Sequence, residues 1–190
     1  MLLWREKIPE EWLPKMLANL DAILVDHCHL ERKAAASALS LMKYRELHGR
    51  VRRLNAIAIE ELEHFHLMLD VLEGRGIPLG QPCVSPWIHG LMKEIRKGRR
   101  EQVIDHLICC SLIEGRSCEK FQMLAQGLKS IDAVLAGLYE GLVESEANHY
   151  VDYWLMARDI DNEESHRRLD FFLEKDAALI RKTHDLLLLH

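Results

Sequence analysis

Apolar residues recur along this chain at the three-and-four spacing of an α-helix, in four long stretches. One stripe carries Leu20, Leu24, Glu31, Ala35, Ala38 and Met42, and a second carries Leu54, Ile57, Glu61, His64, Met68 and Leu72. A third runs through Val103, Leu107, Cys110, Glu114, Ser117 and Phe121, and a fourth through Leu135, Leu138, Leu142, Glu146, His149 and Tyr153. Strand-like alternation is nearly absent, so the pattern predicts an all-α chain. Its punctuation suits a bundle. His48-Gly49 predicts the first turn, and Gly74-Arg75-Gly76-Ile77-Pro78 closes the second helix. A long crossover follows from about Gly74 to Arg100, with Pro78, Pro82 and Pro86, and predicts a short helix over Trp87 to Lys97. Gly127 to Asp132 forms the last turn between long helices. Asp161-Asn162-Glu163-Glu164 reads as a capped start, with acidic residues in the first turn, opening an outer helix to roughly Thr183.

The stripes hold residues that a plain core would not. An ionised Glu on a core face costs several kcal/mol unless something compensates it, yet Glu31, Glu61, Glu114 and Glu146 all lie on core stripes. In chain order they form a pattern with two histidines: Glu31, then Glu61 and His64, then Glu114, then Glu146 and His149. Residues three apart on a helix share a face, so one Glu and one His can reach the same ion. A lone Glu from one helix and a Glu-x-x-His from the next, used twice, is how a four-helix bundle ligates two iron or manganese ions. The intervals are nearly equal, 30 residues from Glu31 to Glu61 and 32 from Glu114 to Glu146. Two more Glu-x-x-His matches, Glu63/His66 and Glu163/His166, fall among charged residues on polar faces and are not assigned. His27 and His29 flank Glu31 and are candidates to hold the ligand groups, with a surface or packing role favoured for each, while Asp26, Asn148 and Asp152 are candidates to orient ligand imidazoles. Carboxylate and imidazole donors suit Fe(II) or Mn(II) better than zinc or copper.

Composition adds bounds. With 190 residues, 48% of them hydrophobic, and a mean hydropathy of −0.13, the chain is sized for one domain, residues 1–190. Five cysteines, an odd set without a Cys-x-x-Cys pair, read as reduced thiols in a cytoplasmic protein; four of them sit in or beside apolar helical patterns, with Cys109, Cys110 and Cys118 read as small core residues. No signal peptide or membrane span is expected. The net charge of −5 says little about partners, because two divalent ions would neutralise four of the carboxylates. Lys93, Arg96, Lys97, Arg99 and Arg100 gather within eight positions, and Arg45, Arg50, Arg52 and Arg53 form a second basic cluster.

A site of this kind serves iron oxidation and storage, peroxide reduction, or oxygenation of an organic substrate. No four-cysteine iron domain of the rubrerythrin kind is present, and oxygenation is favoured. The segments Asp26 to Leu39, Glu60 to Phe65, Leu112 to Glu119 and Glu144 to Tyr150 resemble the tRNA hydroxylases of the MiaE type, over roughly residues 9 to 180. The resemblance implies a ferritin-like four-helix bundle, with the crossover between helices 2 and 3 and extra flanking helices. It implies a non-haem di-iron centre on Glu31, Glu61, His64, Glu114, Glu146 and His149. The implied reaction hydroxylates the isopentenyl group of 2-methylthio-N6-isopentenyladenosine in tRNA, with O2 as co-substrate and an external electron donor of the reductase or ferredoxin type. Lys93, Arg96, Lys97, Arg99 and Arg100 are then the candidate tRNA contacts, and a monomer or weak dimer is expected. Gly115 stands where that family often has Ala, and Asn148 where it often has Arg. The alternative is a di-iron protein acting on iron, peroxide or a small lipid-like substrate without nucleic acid.

Overall fold

A computed structural model describes residues 4–190. No strand occurs among them. The chain packs as two compact units: Asn19–Val84 with Leu187–Leu189 form one, and the residues up to Ala18, Ser85–Leu186 and His190 form the other.

In the first unit, α2 (Leu20–Leu41) and α3 (Val51–Gly74) form a helical hairpin, joined by a 3-10 helix over Arg45–Arg50. Both helices bury one face, with Leu24, Ala35 and Ala38 of α2 and Leu54, Ile57 and Ala58 of α3 no more than 2% exposed. Met42 falls one residue past the end of α2 and is half-buried, while Leu41 takes the core position. The end of α3 is fixed by its glycines. Gly76 takes φ +66°, a left-handed conformation that costs Gly little, and the Gly76 N–H donates to the Glu73 carbonyl at 3.0 Å. The Ile77 N–H donates to the Leu72 carbonyl at 2.9 Å, completing a Schellman closure, and Pro78 prevents the helix from resuming.

The second unit is built on another hairpin, α5 (Arg99–Leu128) and α6 (Ala133–Ile160), flanked by α1 (Trp12–Leu17), α4 (Pro86–Met92) and α7 (Asn162–Thr183). Side-chain caps set three of the starts. Ser85 Oγ accepts from the Ile88 N–H, with Pro86 at the first helical position. Asp132 accepts from Leu135, and Asp161 accepts from Glu164 as the acidic run predicted. The short crossover helix ends at Met92, five residues before the expected Lys97. The cause lies across the unit: fully buried Asp105 accepts from the Arg96 N–H at 3.0 Å and draws the backbone out of its helix. The same carboxylate takes the guanidinium of Arg96 and that of buried Arg168. A second buried pair, Arg116 with Asp176, ties α5 to α7. Trp87 on α4 donates its indole N–H to Asp176 at 3.0 Å.

Candidate metal centre

Each unit gathers three of the six predicted ligands. On the first hairpin, Glu31 projects from α2, and Glu61 and His64 project from one face of α3, so that a carboxylate oxygen of each Glu and a nitrogen of His64 lie within 4.8 Å of one another. His64 Nδ1 stands 3.7 Å from Glu31 Oε2 and 3.8 Å from Glu61 Oε2. On the second hairpin, Glu114 of α5 and Glu146 and His149 of α6 offer ligand atoms within the same 4.8 Å limit. Glu61 and His149 are 0% exposed, and Glu31, Glu114 and Glu146 are no more than 4% exposed. Such burial separates these residues from the rejected pairs. Glu63 and His66 are exposed, with His66 reaching Asp70, and Glu163 and His166 are exposed near the start of α7.

The donor set fits a divalent cation. Two carboxylates and one imidazole per trio supply hard oxygens and a borderline nitrogen, the chemistry that suits Fe(II) or Mn(II). Electrostatics on the first hairpin agree. Burial pushes the Glu31 carboxyl up, but His27, His64 and Glu61 more than offset this and hold it well below the usual carboxylate range. Burial pulls His64 down, while Glu31 and Glu61 raise it to about 10. The metal-free trio therefore keeps a proton on His64 at neutral pH, which an incoming cation must displace. Thiolate ligation is disfavoured, because burial, with Glu31 adding to it, pushes the Cys28 thiol to about 11. Burial, helped by the neighbouring Glu114, pushes Cys118 to about 12.

Some roles differ from the sequence reading. His27, for which the sequence favours a surface or packing role, is 1% exposed and its Nε2 bonds Glu31 Oε1 directly, so it orients that carboxylate. The i to i+4 spacing from His27 to Glu31 was the available signal. Asp26 accepts the Leu189 N–H at 2.8 Å, which anchors the Leu187–Leu189 segment to α2. Asn148 is exposed and Asp152 half-buried, while Tyr153 packs in the core. Among the basic candidates, Lys93, Lys97, Arg99 and Arg100 are exposed. Arg96 is half-buried and holds Asp105 and Glu164. Arg100 also reaches Asp161 at 3.3 Å.

One cavity, of about 380 Å³, opens on the second hairpin between α5 and α6. Trp4, Gly115, Cys118, Val143, Ala147 and Tyr150 are among its lining residues, so it flanks the turns that carry Glu114, Glu146 and His149. On the first hairpin, Asp21, Val25, Arg75, Gly80 and Leu187 line a more open depression of about 510 Å³.

Comparison with known proteins places these observations. Residues 2–190 match the family described as tRNA-(MS[2]IO[6]A)-hydroxylase (MiaE). The chain is 35% identical over 156 residues to the tRNA 2-(methylsulfanyl)-N(6)-isopentenyladenosine(37) hydroxylase of Pseudomonas putida, covering 82% of this chain and 75% of that one. It is 38% identical over 130 residues to the enzyme of the same name from Salmonella typhimurium, covering 68% of this chain and 47% of that one. Among solved structures, it is similar to a Synechococcus protein with aldehyde deformylating oxygenase activity. The TM-score is 0.87 at 31% identity, over 94% of this chain and 89% of that chain.

Proposed function

From the chain's membership of the MiaE family of tRNA hydroxylases, established by the match over residues 2–190, we propose that it hydroxylates the isopentenyl group of 2-methylthio-N6-isopentenyladenosine in tRNA. The observation that carries this reading is a whole-chain family match on an all-α, ferritin-like fold that also presents two buried Glu-Glu-His trios. We assign Glu31, Glu61, His64, Glu114, Glu146 and His149 as the ligands of two iron ions in a single domain spanning residues 1–190. When bound, the iron pair supplies the capacity to reduce O2 and to place one of its oxygen atoms into a C–H bond. The balance requires O2, two external electrons and two protons, and it yields one alcohol and one water. An electron-transfer protein of the reductase or ferredoxin type fits the donor role. The protein's own groups set the conditions: His27 fixes the Glu31 carboxylate by a direct hydrogen bond, and burial of the trios excludes competing water.

Substrate capture calls for phosphate contacts, with the modified base splayed out of its stack. Lys93, Lys97, Arg99 and Arg100 suit that role, being exposed at the end of α4 and the start of α5. Arg96, also a candidate from sequence, is tied to Asp105 and Glu164, so its replacement would disturb the fold as well. Changing Lys93, Lys97, Arg99 and Arg100 together to Ser is expected to weaken tRNA binding and to flatten its dependence on salt by about 0.9 per lost contact in log-log slope. Binding isotherms at several salt concentrations check this, and an unchanged slope removes the patch from the interface.

No helix among the described residues is long and apolar enough to cross a membrane. By family membership, the reading is of a cytoplasmic enzyme working on tRNA, as a monomer or weak dimer. The alternative is a small lipid-like substrate in place of tRNA, and the likeness to a Synechococcus protein with aldehyde deformylating oxygenase activity supports it only in that such a fold can act on a small organic molecule. One experiment separates the two. Protein loaded anaerobically with Fe(II) is given a reductant, isotopically labelled O2 and tRNA carrying the isopentenyl modification, and the nucleosides are read by mass spectrometry. The expected result is a gain of one labelled oxygen on the modified adenosine. Iron binding and O2 consumption without that gain would move the substrate to the lipid-like class.

A further inference from the structure

We infer that the cavity between α5 and α6 receives the isopentenyl chain of the substrate, and that Trp4 is its specificity-determining wall; this rests on the tRNA reading above. Three observations carry the assignment. The first is size and chemistry: about 380 Å³ falls within the ~300–1,000 Å³ of small-molecule pockets, and Trp4, Val143, Ala147, Tyr150 and Val151 supply apolar surface. A branched five-carbon chain needs such a surface and no hydrogen-bonding partners. The second is position. Gly115 and Cys118 of the lining lie one and four residues after Glu114 on α5, and Ala147 and Tyr150 each follow directly on Glu146 and His149 on α6. The third is the fit of Trp4 itself. A Cβ on Gly115 would stand 3.1 and 3.3 Å from the Trp4 ring and 3.4 Å from Tyr150, so the glycine clears the seat on which the indole rests.

A helix-interior Gly is unfavourable relative to Ala, and the close approach of Trp4 gives this one a structural purpose. The indole is held from below by Arg116, whose guanidinium carbon lies 3.9 Å from the ring centroid. Arg116 also donates to the Glu6 carbonyl at 2.9 Å, and Arg5 binds Asp170 and Glu174 of α7. The segment leading into α1 is thereby strapped across the unit with its aromatic side chain against the cavity. Exposed Gln122, Ala147 and Val151 leave the mouth open for an entering chain.

The test uses metal-free, full-length protein and two anticodon stem-loops, one carrying 2-methylthio-N6-isopentenyladenosine and one carrying adenosine at the same position. Wild-type protein is expected to prefer the modified stem-loop by on the order of tenfold or more. Val143→Trp fills the cavity, and Trp4→Ala removes its wall. Each is expected to bring the preference below about threefold, with affinity for the unmodified stem-loop, set by phosphate contacts, unchanged. Circular dichroism and melting identify any variant that fails to fold, and the other variant then decides. Discrimination that survives in folded variants overturns the cavity assignment alone. Equal binding of both stem-loops by the wild-type protein overturns the tRNA reading and this assignment together.

Discussion

Glu114→Ala is expected to lower hydroxylation by at least ~100-fold and to reduce the iron bound per chain, while the metal-free protein melts no earlier than wild type. The magnitude follows from the role: loss of groups that merely orient metal ligands already costs ~10–100-fold in affinity or activity, and Glu114 is assigned as a ligand itself. The unchanged melting has a separate cause. Glu114 is 4% exposed and lies within 4.8 Å of the Glu146 carboxylate. Without a cation, that arrangement combines desolvation with like-charge repulsion, so trimming one carboxylate relieves both. A residue kept for packing would behave oppositely, with a clear loss of stability and little change in iron. His66→Ala is the control, because His66 belongs to the overlapping Glu63/His66 pair and lies exposed beside Asp70. Iron analysis, product formation and thermal melting of both variants settle the assignment. Activity lost in His66→Ala would put the α3 ligands in the other register, and activity retained in Glu114→Ala would remove Glu114 from the ligand set.

Which of the two α3 pairs faces the core was legible in the sequence, because it depends only on which face of a helix is apolar. Glu61 shares its stripe with Leu54, Ile57, Met68 and Leu72, all buried, whereas Glu63 is two residues and some 200° further around the helix. Caps and closures were legible for a similar reason, since Asp161 before two Glu residues and Gly76 before Ile77-Pro78 act through neighbours in the chain. Features that depend on distant partners were not. The six residues of α1 are too few to show a period. Nothing local says that Asp105 will take the Arg96 backbone N–H and end the crossover helix at Met92. By sequence alone Arg96 belongs to a basic cluster, and only its partners Asp105 and Glu164 distinguish it from Lys97. His27 is an intermediate case: its spacing to Glu31 was visible, but its burial was needed to choose bonding over packing.

Asp176→Ala is expected to destabilise the protein by about 3–5 kcal/mol, the effect of removing one partner from a buried ion pair. Asp176 and Arg116 are both 0% exposed. The carboxylate accepts from Arg116 Nε at 3.1 Å, from Arg116 Nη2, and from the Trp87 indole at 3.0 Å, so one side chain joins α7 to α5 and α4. Alanine would leave the guanidinium in the core with Glu119 and the Glu6 carbonyl as its remaining partners. For a chain of this size each kcal/mol moves the melting temperature by roughly 2–4 °C, which gives a drop on the order of 6–20 °C. Asp170→Ala offers a contrast, because its pair with Arg5 is largely exposed and screened by solvent, so its loss should barely move the melting temperature. The double change of Arg116 to Met and Asp176 to Leu separates charge burial from packing. It should recover much of the lost stability, since an apolar pair needs no solvation. It would not recover the seat of Trp4, which rests on the Arg116 guanidinium. Thermal melting and the stem-loop preference therefore part company in that variant: stability returns toward wild type while discrimination of the isopentenyl group stays low. A double variant that recovers both would assign Trp4 to packing alone, and an Asp176→Ala protein melting within about 2 °C of wild type would show that the buried pair contributes little to the fold.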